Sequence, residues 1–89
     1  MASYRNDLGV PNLSLHRQDV HLVALGKTIR RLRISQGISQ EKLALLAEVD
    51  RSYVGRVERG DNNAAVLTLK RLADALGMTI SELMAEAHL

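Results

Sequence analysis

From residue 19 onward, apolar residues recur along this chain at helical spacing; before it they do not. Leu22, Leu25, Ile29 and Leu32 fall at i, i+3, i+7 and i+10, one stripe on one helix. That stripe predicts a helix over about 20–36, with Asp19 as its cap and Gly37 as its stop. A second helix, about 40–47, opens at Ser39 and is expected to bury Leu43, Leu46 and Ala47. A third, about 51–59, is capped by Asp50, buries Val54 and Val57, and stops at Gly60. The polar run Asp61-Asn62-Asn63 leads to a fourth, about 65–76, expected to bury Val66, Leu69, Leu72, Ala73 and Leu76 before Gly77. Thr79-x-x-Glu82 has the form of a capping box and opens a fifth, about 80–87, with Ile80, Leu83 and Met84 as its apolar face. Helices this short do not persist alone, so the five must share one core. The expectation is an all-α, compact five-helix domain over residues 19–89.

Residues 1–18 lack this order. Asn6, Gly9, Pro11 and Asn12 punctuate them, and Leu8, Val10, Leu13 and Leu15 keep no helical period. They read as an N-terminal arm, either a free tail or a segment lying on its own domain or on a partner.

Composition narrows the chemistry. The chain has 89 residues, 46% hydrophobic, without Phe or Trp and with only two Tyr, which suits packed helices better than a sheet. It has no Cys, hence no disulfide framework, thiolate metal site or cysteine nucleophile. His16, His21 and His88 form no i, i+4 pair and sit in no ligand-like motif, so no metal or cofactor is expected. No nucleophile–base constellation or Gly-rich phosphate loop is present, and an enzyme is not expected. The longest apolar run, Leu43–Ala47, is far too short to cross a membrane, and Arg5, Asp7, Arg17 and Asp19 interrupt any signal-like stretch. A soluble cytoplasmic protein with no membrane association is the expectation.

Net charge is only +2, yet the cations are clustered. Lys27, Arg30, Arg31 and Arg33 crowd one stretch; Arg51, Arg56 and Arg59 crowd another; Glu82 and Glu86 offset them elsewhere. The second cluster lies on the third helix, joined to the second by about three residues, 48–50. A connection so short forces a sharp angle between the two. With Val54 and Val57 turned inward, the third helix presents Arg51, Ser52, Arg56 and Arg59 outward. A helix about 10–12 Å across enters a major groove about 12 Å wide, where Arg grips guanine O6 and N7 and Ser bonds several base edges. Two Tyr cannot build the stacking platform of a single-strand binder, so double-stranded DNA is the favoured partner.

Residues 22–84 resemble the lambda-repressor-like, or Xre-type, helix-turn-helix family. The resemblance is carried by LGKTIRRLRISQGISQEKLALLAEVDRSYVGRVERGDNN followed by LKRLADALGMTISELM. It includes short phage-type repressors and the controller proteins of restriction–modification systems. It implies base contacts from Arg51, Ser52 and Arg56. It implies phosphate contacts from Ser39, Gln40, Tyr53, Arg59, Asn62 and Asn63. Arg33 and Glu58 match an internal ion pair that braces the third helix, making Glu58 structural.

Several positions depart from the family pattern. Glu48 stands where the turn usually has Gly, a strained choice if that residue takes positive φ. Gly55 sits inside the third helix, either merely tolerated or there to let DNA approach closely. Ala64 and Ala65 replace a Pro-Ser that often starts the fourth helix, leaving Asn62 or Asn63 to cap it. Leu45 and Leu67 fall at positions that are often polar.

The functional expectation is a sequence-specific transcriptional regulator, acting as a repressor. It works as a homodimer on a pseudo-palindromic operator, because one such domain makes few contacts alone. Leu67, Leu83 and Met84 are the expected dimer interface. The alternative is an antitoxin-type interaction module that binds a partner toxin through residues 1–18 and autoregulates.

Overall fold

Hydrogen-bond acceptors at the helix starts explain where most of the helices begin. The computed structural model describes residues 18–89. Asp19 accepts from the His21 amide at 2.8 Å and opens α1, Val20–Ser35. Ser39 accepts from the Lys42 amide at 3.0 Å and opens α2, Gln40–Ala47. α3, Arg51–Arg59, follows Asp50, whose side chain makes no capping bond. α4, Val66–Ala75, follows Ala65, and neither Asn62 nor Asn63 supplies a side-chain cap there. At α5, Ile80–Glu86, Thr79 Oγ1 accepts from the Glu82 amide at 3.0 Å while Glu82 Oε1 accepts from the Thr79 amide at 2.9 Å. Among the described residues there is no strand. The expected arm lies outside them except for Gln18.

α1 packs on α3 and α5, α2 on α3 and α4, and α4 on α5. Ile29, Leu43, Val54, Leu72 and Leu83, one from each helix, are the largest fully buried side chains. Two expected core residues are instead exposed. Val66 is 70% exposed, because it opens α4 before the inward stripe of Leu69, Leu72 and Ala73 begins. Leu46 is 49% exposed; Leu43, Ala44 and Ala47 fill the inward stripe of α2, and Leu46 lies about 100° round the helix from its middle. A third correction concerns Leu83, expected at a dimer interface. It is fully buried in the monomer's own core and has no surface to offer a second subunit.

α1 and α3 approach so closely that backbone meets backbone. A methyl group on Gly26 would overlap the carbonyl oxygens of Val57 and Glu58. Gly60, at φ 79°, ends α3 with Val23 of α1 where its own Cβ would be. Gly26 escaped the sequence reading, although glycine inside an amphipathic helix was the available signal.

Glu48 does adopt the left-handed conformation, φ 59° and ψ 46°, at the end of α2. The conformation costs a β-carbon-bearing residue ~1–2 kcal/mol. It lets the Val49 amide donate back to the Ala44 carbonyl at 3.0 Å, closing α2 and turning the chain into α3.

Two substitutions test these features by urea titration. Gly26→Ala is expected to destabilise by about 3 kcal/mol, since the atoms it meets are main chain and cannot swing away. Glu48→Gly is expected to stabilise by about 1 kcal/mol through relief of the left-handed strain.

Candidate nucleic-acid interface

The three-residue turn, 48–50, sets α3 across α2. Around α3, Val54, Val57 and Glu58 are buried, and Gly55 is covered. Arg51, Ser52 and Arg59 are exposed, and Tyr53 and Arg56 are half-buried. Helical geometry spreads Arg51, Arg59, Ser52 and Arg56 over an arc of about 140°. This outward face carries guanidinium donors and a hydroxyl, the groups that suit a polyanion with acceptor-bearing edges.

That face is braced from beneath by one carboxylate. Arg33 Nε donates to Glu58 Oε2 at 2.6 Å and Arg33 Nη2 to Glu58 Oε1 at 3.1 Å. The two side chains are only 10% and 3% exposed. Arg33 Nη1 also donates to the Ile38 carbonyl at 2.9 Å, tying in the segment before α2. Glu58 Oε1 accepts a further bond from Gln40 Nε2 at 2.9 Å. Because the carboxylate only accepts, Gln40 must turn its amide nitrogen inward, which points its oxygen outward. That oxygen accepts from Arg51 Nη1 at 2.9 Å. A continuous chain therefore runs from α1 through Glu58 and Gln40 to an exposed arginine at the start of α3. Among the described residues no buried side-chain nitrogen or oxygen lacks a partner.

The remaining expected contacts sit around this chain. The Ser39 hydroxyl caps α2. Arg59 Nε donates to Asp61 Oδ2 at 3.1 Å. Asn62 is half-buried and Asn63 exposed in the loop after α3. Gly55 has a third explanation beyond the two considered from sequence. A Cβ there would lie 3.3 Å from Arg59 Nη1 and 3.9 Å from Gln40 Oε1, so its bare backbone is the floor on which those side chains lie.

Sequence reasoning missed Gln18 and Asp61. The Gln18 amide donates to the Gly60 carbonyl at 2.8 Å, and Gln18 Nε2 donates to the Arg59 carbonyl at 2.9 Å and to Asp61 Oδ1 at 2.7 Å. These bonds fasten the end of α3 to the residue that precedes the α1 cap, Asp19. No local pattern announces a bond between residues more than forty positions apart. Among the described residues no group of three or more His, Cys, Asp or Glu is placed to hold a metal ion.

Glu58→Ala should cost about 3–5 kcal/mol, because it strands the Arg33 guanidinium out of water. The double change Arg33→Met with Glu58→Leu is expected to recover much of that loss in the same urea titration.

Comparison with known proteins agrees with this geometry. A helix-turn-helix family model matches residues 29–83. A hypothetical transcription factor of Neisseria meningitidis serogroup B is 37% identical over 79 residues, spanning 89% of this chain and 74% of that protein. Control protein C.BamHI of Bacillus amyloliquefaciens is 33% identical over 60 residues, 66% of this chain and 74% of its own length. The crystal structure of the restriction-modification controller protein C.AhdI from Aeromonas hydrophila aligns with a TM-score of 0.71 at 46% identity, covering 73% of this chain and 98% of that one. The toxin-binding alternative draws no support from these relatives. With the family model covering more than half of the chain, and the buried brace beneath an arginine-bearing α3, the chain belongs to the Xre-type helix-turn-helix family of DNA-binding transcriptional regulators, which are not enzymes.

Proposed function

We propose that this protein is a cytoplasmic repressor that binds a pseudo-palindromic operator as a homodimer. The observation that carries the reading is the bonding chain from the buried ion pair to Arg51, which holds one end of the outward face of α3 rigid against the core. Rigid presentation is what base reading needs, since a freely swinging guanidinium loses rotamer entropy on binding.

In this reading α3 lies in the major groove. Arg51, Ser52 and Arg56 address base edges. Ser39, Gln40, Arg59, Asn62 and Asn63 lie along the flanking phosphates. Gln40 already spends its oxygen on Arg51, so it meets phosphate through its second amide hydrogen and the free main-chain N–H groups opening α2. Arg59 exchanges Asp61 for phosphate.

A single copy makes too few contacts for useful affinity at cellular salt, which favours a dimer. Leu67, 72% exposed, and the half-buried Met84 are the apolar residues offered to a second copy, without Leu83. Bound across an operator, the dimer excludes polymerase and so represses. No helix among the described residues is long and apolar enough to cross a membrane.

Selection of bound sites from a random duplex pool at ~150 mM salt tests the proposal. The expected product is an inverted repeat with half-sites about 34–36 Å apart. Recovery of a single unrepeated half-site argues against the dimer, and recovery of no motif argues against sequence reading altogether.

A further inference from the structure

The three outward arginines of α3 are held in three different ways. Arg51 gives a hydrogen bond to the Gln40 amide oxygen, and Arg59 gives one to the Asp61 carboxylate. Arg56 makes neither kind of bond among the described residues. Its guanidinium carbon lies 5.6 Å from the centroid of the Tyr53 ring. The two residues are i and i+3 on the same helix, so their side chains are neighbours by geometry. Tyr53 packs against the hydrophobic core and is half-buried, so its ring is a fixed surface rather than a moving one. Asp50 lines the same open cleft with Val49 and Thr68.

We infer that Tyr53 is a positioning residue for Arg56: the ring orients the guanidinium toward the groove while using none of its hydrogen-bond donors. The chemistry makes this arrangement distinct. A ring attracts a cation through its quadrupole and asks for no N–H in return. Arg56 therefore stays oriented with all five donors free for base edges, whereas Arg59 must first leave a carboxylate. This role differs from the phosphate contact implied for Tyr53 by family resemblance, which uses its hydroxyl. The inference rests on the proposed base-reading role of Arg56, and the test separates the two.

The experiment measures affinity for the selected site and for random duplex in wild type, Tyr53→Phe, Tyr53→Leu, Arg56→Ala and the Tyr53→Leu/Arg56→Ala double variant. Thermal melting establishes that each is folded. Arg56→Ala is expected to lose roughly 5- to 150-fold on the selected site and little on random DNA. Tyr53→Leu is expected to lose roughly three- to five-fold on the selected site alone, and Tyr53→Phe to match wild type. In the Arg56→Ala background Tyr53→Leu should then cost nothing, the signature of two residues acting as a pair. A full Tyr53→Leu effect in that background overturns the inference, as does a Tyr53→Phe loss equal to that of Tyr53→Leu. If Arg56→Ala weakens selected and random DNA alike, Arg56 reads no base and both the inference and that base-reading assignment fall.

Discussion

The structure turns on the Glu58 carboxylate. Removing a charge from water costs several kcal/mol, and only close partners at both oxygens offset it. Those partners come from two places, Arg33 on α1 and Gln40 opening α2, and α3 carries the carboxylate between them. An apolar contact tolerates sliding; a bidentate pair at 2.6 and 3.1 Å does not. The pair therefore fixes the angle at which α3 leaves the body of the domain, and it does so from the face opposite the arginine-bearing one.

Close approach of α1 and α3 makes this pair possible. Gly26 removes the side chain that would separate the two helices, and Gly60 lets α3 end against Val23. α3 is thus divided lengthwise. Its inward residues belong to the scaffold, and its outward residues are tethered by small, local partners: an amide oxygen, an aromatic ring and a carboxylate. Each tether differs in what it asks of an incoming nucleic acid. The ring surrenders nothing, the amide gives up one neutral acceptor, and the carboxylate must be displaced against its own charge.

The order and type of all five helices were legible in the sequence because the hydrophobic period marked each one, with side-chain caps agreeing at α1, α2 and α5. Leu22, Leu25, Ile29 and Leu32 marked α1 without ambiguity, and Thr79 with Glu82 marked the start of α5. Stripe edges were not legible. Leu46 and Val66 are apolar and in phase to within one residue, and only packing assigns them to solvent. Leu83 failed in the opposite sense: a terminal helix offers few inward positions, and this leucine took the central one. At the site, the charged residues could be named from spacing and resemblance. Their tethers could not. The Gln40 amide orientation follows from what Glu58 can accept, and the reach of Gln18 to Asp61 spans most of the domain's length in sequence.

Gln18 sets the practical limit of the domain. It precedes α1 and belongs to no helix, yet it supplies three hydrogen bonds to the carboxyl end of α3 and the loop behind it. The unit that presents the arginines is therefore closed by a residue outside every helix. A chain trimmed at the first helical residue, Val20, loses the clasp on the end of α3 while keeping every helical residue. Gln18 itself is held beside the end of α3, so the near edge of α1 and the arginine-bearing face are neighbours by construction of the fold.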